Sequence, residues 1–207
     1  GDQRSTARLV GVGERPSKLA IADRSLAQAR EMNHQLGISL GLFCRALVLT
    51  DLGRMAEATE HGDEALQILE RLGDPEDELP TRILLARLAL ERGDHASALA
   101  TLDVCVELAQ RYDAEGFLPL AHAWRCCALV AADRAPEARE ALELALTTPA
   151  RPWPYQQTRL ALSLSRAARL LGDRDIAIAQ AERALEIAER CGFRYYVLLA
   201  RIFLLRV

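Results

Sequence analysis

Apolar positions along this chain recur three and four residues apart in long blocks, the spacing that lays an apolar stripe on one side of an α-helix. The pattern predicts helices at about 17–36, 38–52, 55–72, 76–92, 95–111, 115–132, 135–147, 154–171, 174–190 and 194–206, with a shorter one over 3–10. No segment alternates well enough to be read as a strand. Asp94, Asp133 and Asp173 stand at or just after the breaks, where a short acceptor side chain can cap the next helix. Gly37, Gly73 and Gly192 are expected to close the second helix of their pairs.

One break recurs about every 40 residues: Leu52-Gly53, Arg92-Gly93, Ala132-Asp133 and Leu171-Gly172. Five residues after each anchor stands an alanine, Ala58, Ala98, Ala138 and Ala177. Twelve after come Ala65, Cys105, Ala145 and Ala184, each followed by an aliphatic residue, and seven before come Ala46, Ala86, Cys126 and Ser165. Chance puts four alanines in one such column with a probability on the order of one in a thousand. Small residues are needed there because antiparallel helices whose axes pass about 8 to 10 Å apart leave little room at the crossing.

On these columns the chain resembles the tetratricopeptide repeat family from about residue 19 to its end. The resemblance implies an all-α fold, a right-handed superhelical solenoid of antiparallel helix pairs, in a single domain over 1–207 with turns near 53, 93, 133 and 172. Two departures stand out. The period exceeds the common one of about 34 residues, and the bulky aromatic often found early in the first helix is mostly absent. Longer repeats of this kind resemble those of bacterial multidomain regulators.

Charge and composition narrow the partners. The formal net charge is −3 with both signs mixed along the helices, so no basic stripe argues for nucleic acid. Of 26 basic residues only Lys18 is a lysine, which fits GC-rich bacterial coding better than a binding function because the arginines are evenly spread. With no bilayer-length apolar stretch and no signal peptide, a cytoplasmic chain with no membrane contact is expected. It starts at Gly1 and stops at Val207 within an apolar run, as a segment of a longer protein would.

Reactive chemistry finds little support. Gly11-Val12-Gly13-Glu14-Arg15-Pro16-Ser17-Lys18 lacks the second anchoring glycine and the preceding strand of a phosphate loop. Cys44, Cys105, Cys126, Cys127 and Cys191 contain no Cys-x-x-Cys pair, and two of them occupy the small-residue columns, so packing with reduced thiols is expected. His34, His61, His95 and His122 are scattered over separate helices, unlike a converging metal site. Glu137, Glu140 and Glu143 follow helical spacing beside Arg139 and read as a solvated face. No catalytic group, cofactor or metal is expected, and the segment is read as non-enzymatic. The proline-rich stretch from Thr147 to Tyr155 is a stiff spacer between repeats, with Trp153 over the joint.

One constellation points to binding. Arg159, Arg166 and Arg169 are spaced seven and three apart on the 154–171 helix, and Arg87 is their neighbour from an earlier repeat. In the resembled family the first helix of each pair lines the concave surface, which would place these four arginines there to hold an acidic peptide through charge-assisted hydrogen bonds. Pairing with local acids such as Asp173 and Asp175 is the alternative. The equivalent earlier face, Leu40, Phe43, Leu47 and Ile83, is apolar. It lacks the lysines and asparagines with which chaperone adaptors of the family clamp a terminal carboxylate.

The expected partner is a protein or peptide, or a neighbouring domain of the same chain, bound by a scaffold of a bacterial regulatory protein. A small-effector sensor using the concave groove is the second expectation. A homodimer through the apolar C-terminal helix, with Tyr195, Tyr196, Phe203 and Leu204, is the third.

Overall fold

A computed structural model describes residues 17–150 and 153–206. Among the described residues there are ten α-helices and no strand: α1 (Lys18–Glu31), α2 (Gln35–Asp51), α3 (Met55–Leu72), α4 (Pro75–Glu91), α5 (His95–Arg111), α6 (Leu118–Ala131), α7 (Ala135–Thr147), α8 (Pro154–Leu170), α9 (Arg174–Arg190) and α10 (Arg194–Leu205). A single 3-10 turn, Glu115–Phe117, leads into α6. The expected helix at 3–10, the loop over 11–16 and residues 151–152 of the proline-rich link lie outside the described residues.

The recurring break is one hydrogen-bonded turn used four times. At each, the amide after the anchor returns to a carbonyl of the helix just ended: Arg54 to Leu49, Asp94 to Ala89, Arg134 to Leu129 and Asp173 to Ala168, all at 2.9 Å. The anchor must then adopt a left-handed conformation, with φ of 77° at Gly53, 82° at Gly93 and 79° at Gly172. Asp133 takes the same conformation at φ 57° without being glycine. Two of the three expected acidic caps are absent, Asp133 serving as the turn anchor before Arg134. Asp94 does accept from the Ser97 amide at 3.1 Å, whereas Asp173 makes no capping bond and instead receives Arg139 Nη1 at 3.2 Å.

The first break also differs. α1 ends at Glu31, five residues short of the predicted end, because Asn33 takes the left-handed conformation at φ 50°. The His34 ring then accepts from the Gly37 amide at 2.9 Å, so Gly37 opens α2 instead of closing a helix. Asparagine tolerates the left-handed region through its short polar side chain, and the glycine two positions into the next helix concealed it.

All twelve residues of the three small columns are buried, none more than 2% exposed. Ser165 shows what a column position touches: its hydroxyl donates to the carbonyl of Ala177 at 2.7 Å, joining the column seven before the turn to the column five after it. Each helix packs on its neighbour in sequence. In addition α2, α4, α6, α8 and α10 touch one another in succession, whereas successive odd-numbered helices stand further apart, α1 and α3 meeting through the Arg30–Glu64 ion pair at 3.3 Å. The even-numbered helices therefore form the inner, concave layer of the solenoid, and the odd-numbered ones the outer layer. Ile83, read from the sequence as groove-facing, is core at 1% exposed, beside Leu79 and Leu102. Trp153, the cap residue of α8, is 54% exposed.

Candidate functional site

The even-numbered helices converge on one cavity. Its wall takes Asp51 from α2, Arg87 from α4, Trp124 from α6, Arg159, Leu162, Ser163 and Arg166 from α8, and Tyr195, Tyr196, Leu199 and Phe203 from α10, around a volume of about 140 Å³. Each inner helix of the solenoid contributes at least one residue. The face is thus built by the same repeat register that buries the alanines on the opposite side of these helices.

Three of the four candidate arginines meet here. Arg87 and Arg166 both lie against Trp124, with guanidinium carbons 5.5 and 5.3 Å from its ring centre. Arg159 lies 5.8 Å from the Tyr155 ring. Such placements are favourable because the ring face carries negative charge, the more so where water is excluded. Arg169 does not line the cavity and is exposed. Three residues advance a helix by about 300°, which turns Arg169 roughly 60° away from Arg166, whereas seven residues bring Arg159 and Arg166 almost into line.

The arginines are not paired as the sequence suggested. Arg166 Nη1 binds Glu91 of α4 at 2.6 Å, and Asp173 is taken by Arg139 of α7. Arg159 is 8% exposed, and its Nη1 has no hydrogen-bond partner among the described residues; the same holds for Arg87 Nε. Burial lowers the Arg87 pKa, and repulsion from Arg159 adds to it, against the attraction of Asp51 and Glu91. Asp51 is shifted upward by loss of water, while Tyr195, Arg87, Lys18 and Arg159 draw it back.

Sequence reasoning missed the other half of the site. Tyr195 and Tyr196 were read as an apolar surface awaiting cover, yet both line the cavity. Tyr195 faces Asp51, and burial together with that carboxylate pushes its phenol up to about 12. Tyr196 donates to the Tyr155 hydroxyl at 3.3 Å, and desolvation raises its pKa. The ammonium of Lys18, at the start of α1, sits 4.2 Å from the centre of the Tyr195 ring. The last helix therefore reaches the first helix pair across the concave opening. Tyr196, Leu199 and Phe203 also pack on Leu162 and Ala184, which leaves Leu198 and Leu205 as the exposed large apolar residues of α10.

Other candidates resolve into structure. Cys105, Cys126 and Cys127 are buried, and loss of water pushes each thiol up to about 12. Cys44 is exposed, which corrects its assignment to packing. Glu137 is not simply solvated but receives both Nε and Nη2 of Arg134, as Glu57 receives Arg54 eighty residues earlier, two repeats back. The described residues hold no group of three or more histidine, cysteine, aspartate or glutamate side chains placed to share a metal ion. No helix among the described residues is long and apolar enough to cross a membrane.

Residues 37–111 match the family model of the tetratricopeptide repeat. Over that segment the chain is similar to tetratricopeptide repeats. The same helix-pair fold, TPR-like in its solved neighbours, extends beyond that segment. The nearly identical TPR-like repeats of a protein assigned as a kinesin light chain of Podosopora anserina, in a single-substitution variant, align with a TM-score of 0.54 and 18% identity, over 84% of this chain and 86% of that one. BtubC (BKLC) from P. vanneervenii aligns with a TM-score of 0.52 and 16% identity, over 84% and 91% respectively. At such identities the likeness shows the fold alone. No curated protein matches the chain. Tetratricopeptide repeats in general mediate protein–protein interaction, and the fold is typically non-catalytic.

Proposed function

We propose that the chain is a docking module whose concave face receives an acidic segment of a partner protein, or of a neighbouring domain in a larger bacterial regulatory protein. The observation that carries this reading is Arg159, 8% exposed with an orphaned Nη1, next to Arg87 with an orphaned Nε. A buried donor without an acceptor costs free energy, and an incoming carboxylate would recover it through charge-assisted bonds. Arg166, already held by Glu91, positions Trp124, and exposed Arg169 would meet the flank of the segment.

Fluorescence anisotropy of a labelled, end-blocked acidic peptide tests it. Exchange of Arg159, Arg166 and Arg169 for glutamine is expected to weaken capture with the helical circular dichroism unchanged. Capture that survives in the folded triple variant would remove the arginines from the interaction.

A second reading, an effector sensor, is favoured by the way α10 narrows the cavity to about 140 Å³. A ligand that prefers the closed arrangement would shift the solenoid toward it. Thermal shift against a panel of small anions separates the two, since a flat response counts against a sensor and leaves docking intact.

A further inference from the structure

We infer that the cavity among α2, α4, α6, α8 and α10 is a binding site for a small free carboxylate carried on a compact apolar or aromatic body. The inference takes from the docking reading only that this cavity is the binding centre, and it names the group that enters.

The charge balance selects an anion. Three arginines line or border the cavity against two acids, Asp51 and Glu91, and Glu91 is committed to Arg166 at 2.6 Å. Arg87 and Arg159 are left to share Asp51, which attracts both, while Lys18 adds positive potential beside the Tyr195 ring. One negative charge is wanting.

Donor geometry selects a carboxylate. The orphaned atoms are two guanidinium nitrogens on two side chains, Arg87 Nε and Arg159 Nη1. A planar group with two acceptor oxygens suits the forked guanidiniums of Arg87 and Arg159 that line the cavity. Its body would lie against Leu162, Leu199 and Phe203 on the same wall. A space of about 140 Å³ suits a ring or a short branched chain, being close to the volume of engineered cavities that hold benzene.

The closure selects a free molecule. Tyr195 faces Asp51 of α2 and carries Lys18 of α1 on its ring, so α10 is tied to both helices that begin the solenoid. An acidic segment can reach the cavity with one side-chain carboxylate, whereas a continuous peptide lying along the groove would have to part these contacts. A small acid would not.

Phenylacetate is the probe, with phenylacetamide as its uncharged isostere and an end-blocked five-residue peptide bearing two glutamates as the peptide source of the same group. Trp124 reports binding in a Trp153→Phe background, because these are the two tryptophans of the chain and Trp124 lines the cavity. Calorimetry supplies the stoichiometry. Phenylacetate is expected to saturate at one per chain, with the amide at least tenfold weaker, as the loss of a charged hydrogen-bond acceptor requires. Arg87→Gln and Arg159→Gln are each expected to weaken phenylacetate at least tenfold, with Arg183→Gln, exposed on the outer helix α9, unchanged; the amide comparison stands even where a buried arginine variant fails to fold. Equal binding of acid and amide, or silence of both, overturns the inference. Binding of the peptide without the free acid also overturns it and leaves docking standing, whereas the free acid without the peptide upholds it and removes the docking reading.

Discussion

Arg166 of α8 reaches past α6 to Glu91 of α4, pairing at 2.6 Å between residues 75 apart in the chain. It can do so because Cys127 stands in α6 where the equivalent residues of the neighbouring repeats are Arg87 and Arg166 themselves, six before the turn. A small, buried thiol there leaves room for the ion pair, and both partners act on its titration. The pair is about seven-tenths buried at each end, so it is neither fully screened nor fully desolvated.

A double-mutant cycle with Glu91→Gln and Arg166→Gln is therefore expected to give a coupling of about 0.5–1 kcal/mol in urea unfolding, falling in high salt. Additive single effects would show that the two side chains are independent in solution.

The turn anchors make a second prediction. Asp133 holds φ 57° where the other three repeats use glycine. Asp133→Gly is expected to stabilise the chain by about 0.5–1 kcal/mol, since a side chain in the left-handed region is strained. Gly93→Ala, at φ 82°, is expected to destabilise it by at least about 1 kcal/mol. Thermal unfolding of the two variants side by side checks the opposite signs.

Packing gives the third. Ala98→Leu places three extra carbons at a fully buried crossing and is expected to cost about 1–3 kcal/mol, as overpacking does. Ser165→Ala removes the bond to the Ala177 carbonyl and is expected to cost about 1 kcal/mol. Because alanine already serves at the same place in the first two repeats, this variant should fold normally by circular dichroism.

This much was legible in the sequence for a physical reason. The helices, four turns and three small columns all express one short-range geometry repeated down the chain, so each copy corroborates the others. The placement of Arg159 and Arg166 on one side of α8 followed from the same helical period. What the sequence hid depends on how far the solenoid curls. Tyr195 meets Asp51 and Lys18 only because small rotations accumulate over the whole stack, and no local spacing encodes that sum. Asn33 was hidden for the opposite reason, since a single residue's tolerance of a left-handed turn leaves no periodic trace.

His122 supplies a pH dependence. It is buried in α6, where loss of water and then the nearby Arg125 lower its pKa below 6.5. The unfolded chain thus binds a proton that the folded chain refuses, and stability is lost as pH falls from about 6.5 toward the lower folded value. His122→Gln is expected to flatten the slope of unfolding free energy between pH 6.5 and that value. An unchanged slope would assign the dependence to other groups.

The thiols offer a check on the fold itself. Cys105, Cys126 and Cys127 are buried with pKa values pushed up to about 12 and should resist an aromatic disulfide reagent at pH 8, while exposed Cys44 and half-buried Cys191 react. Titration in denaturant should then release all five thiols of the chain.

The central claim, that partners enter the concave face at its arginine cavity, is tested most directly by the two indole signals in a ¹⁵N-labelled sample titrated with the end-blocked acidic peptide. Trp124 contacts both Arg87 and Arg166, and Trp153 stands exposed at the start of α8. The account predicts that the Trp124 signal shifts saturably while Trp153 stays in place, and that Arg159→Gln abolishes the shift. A peptide that binds while moving only Trp153, or neither indole, would contradict it.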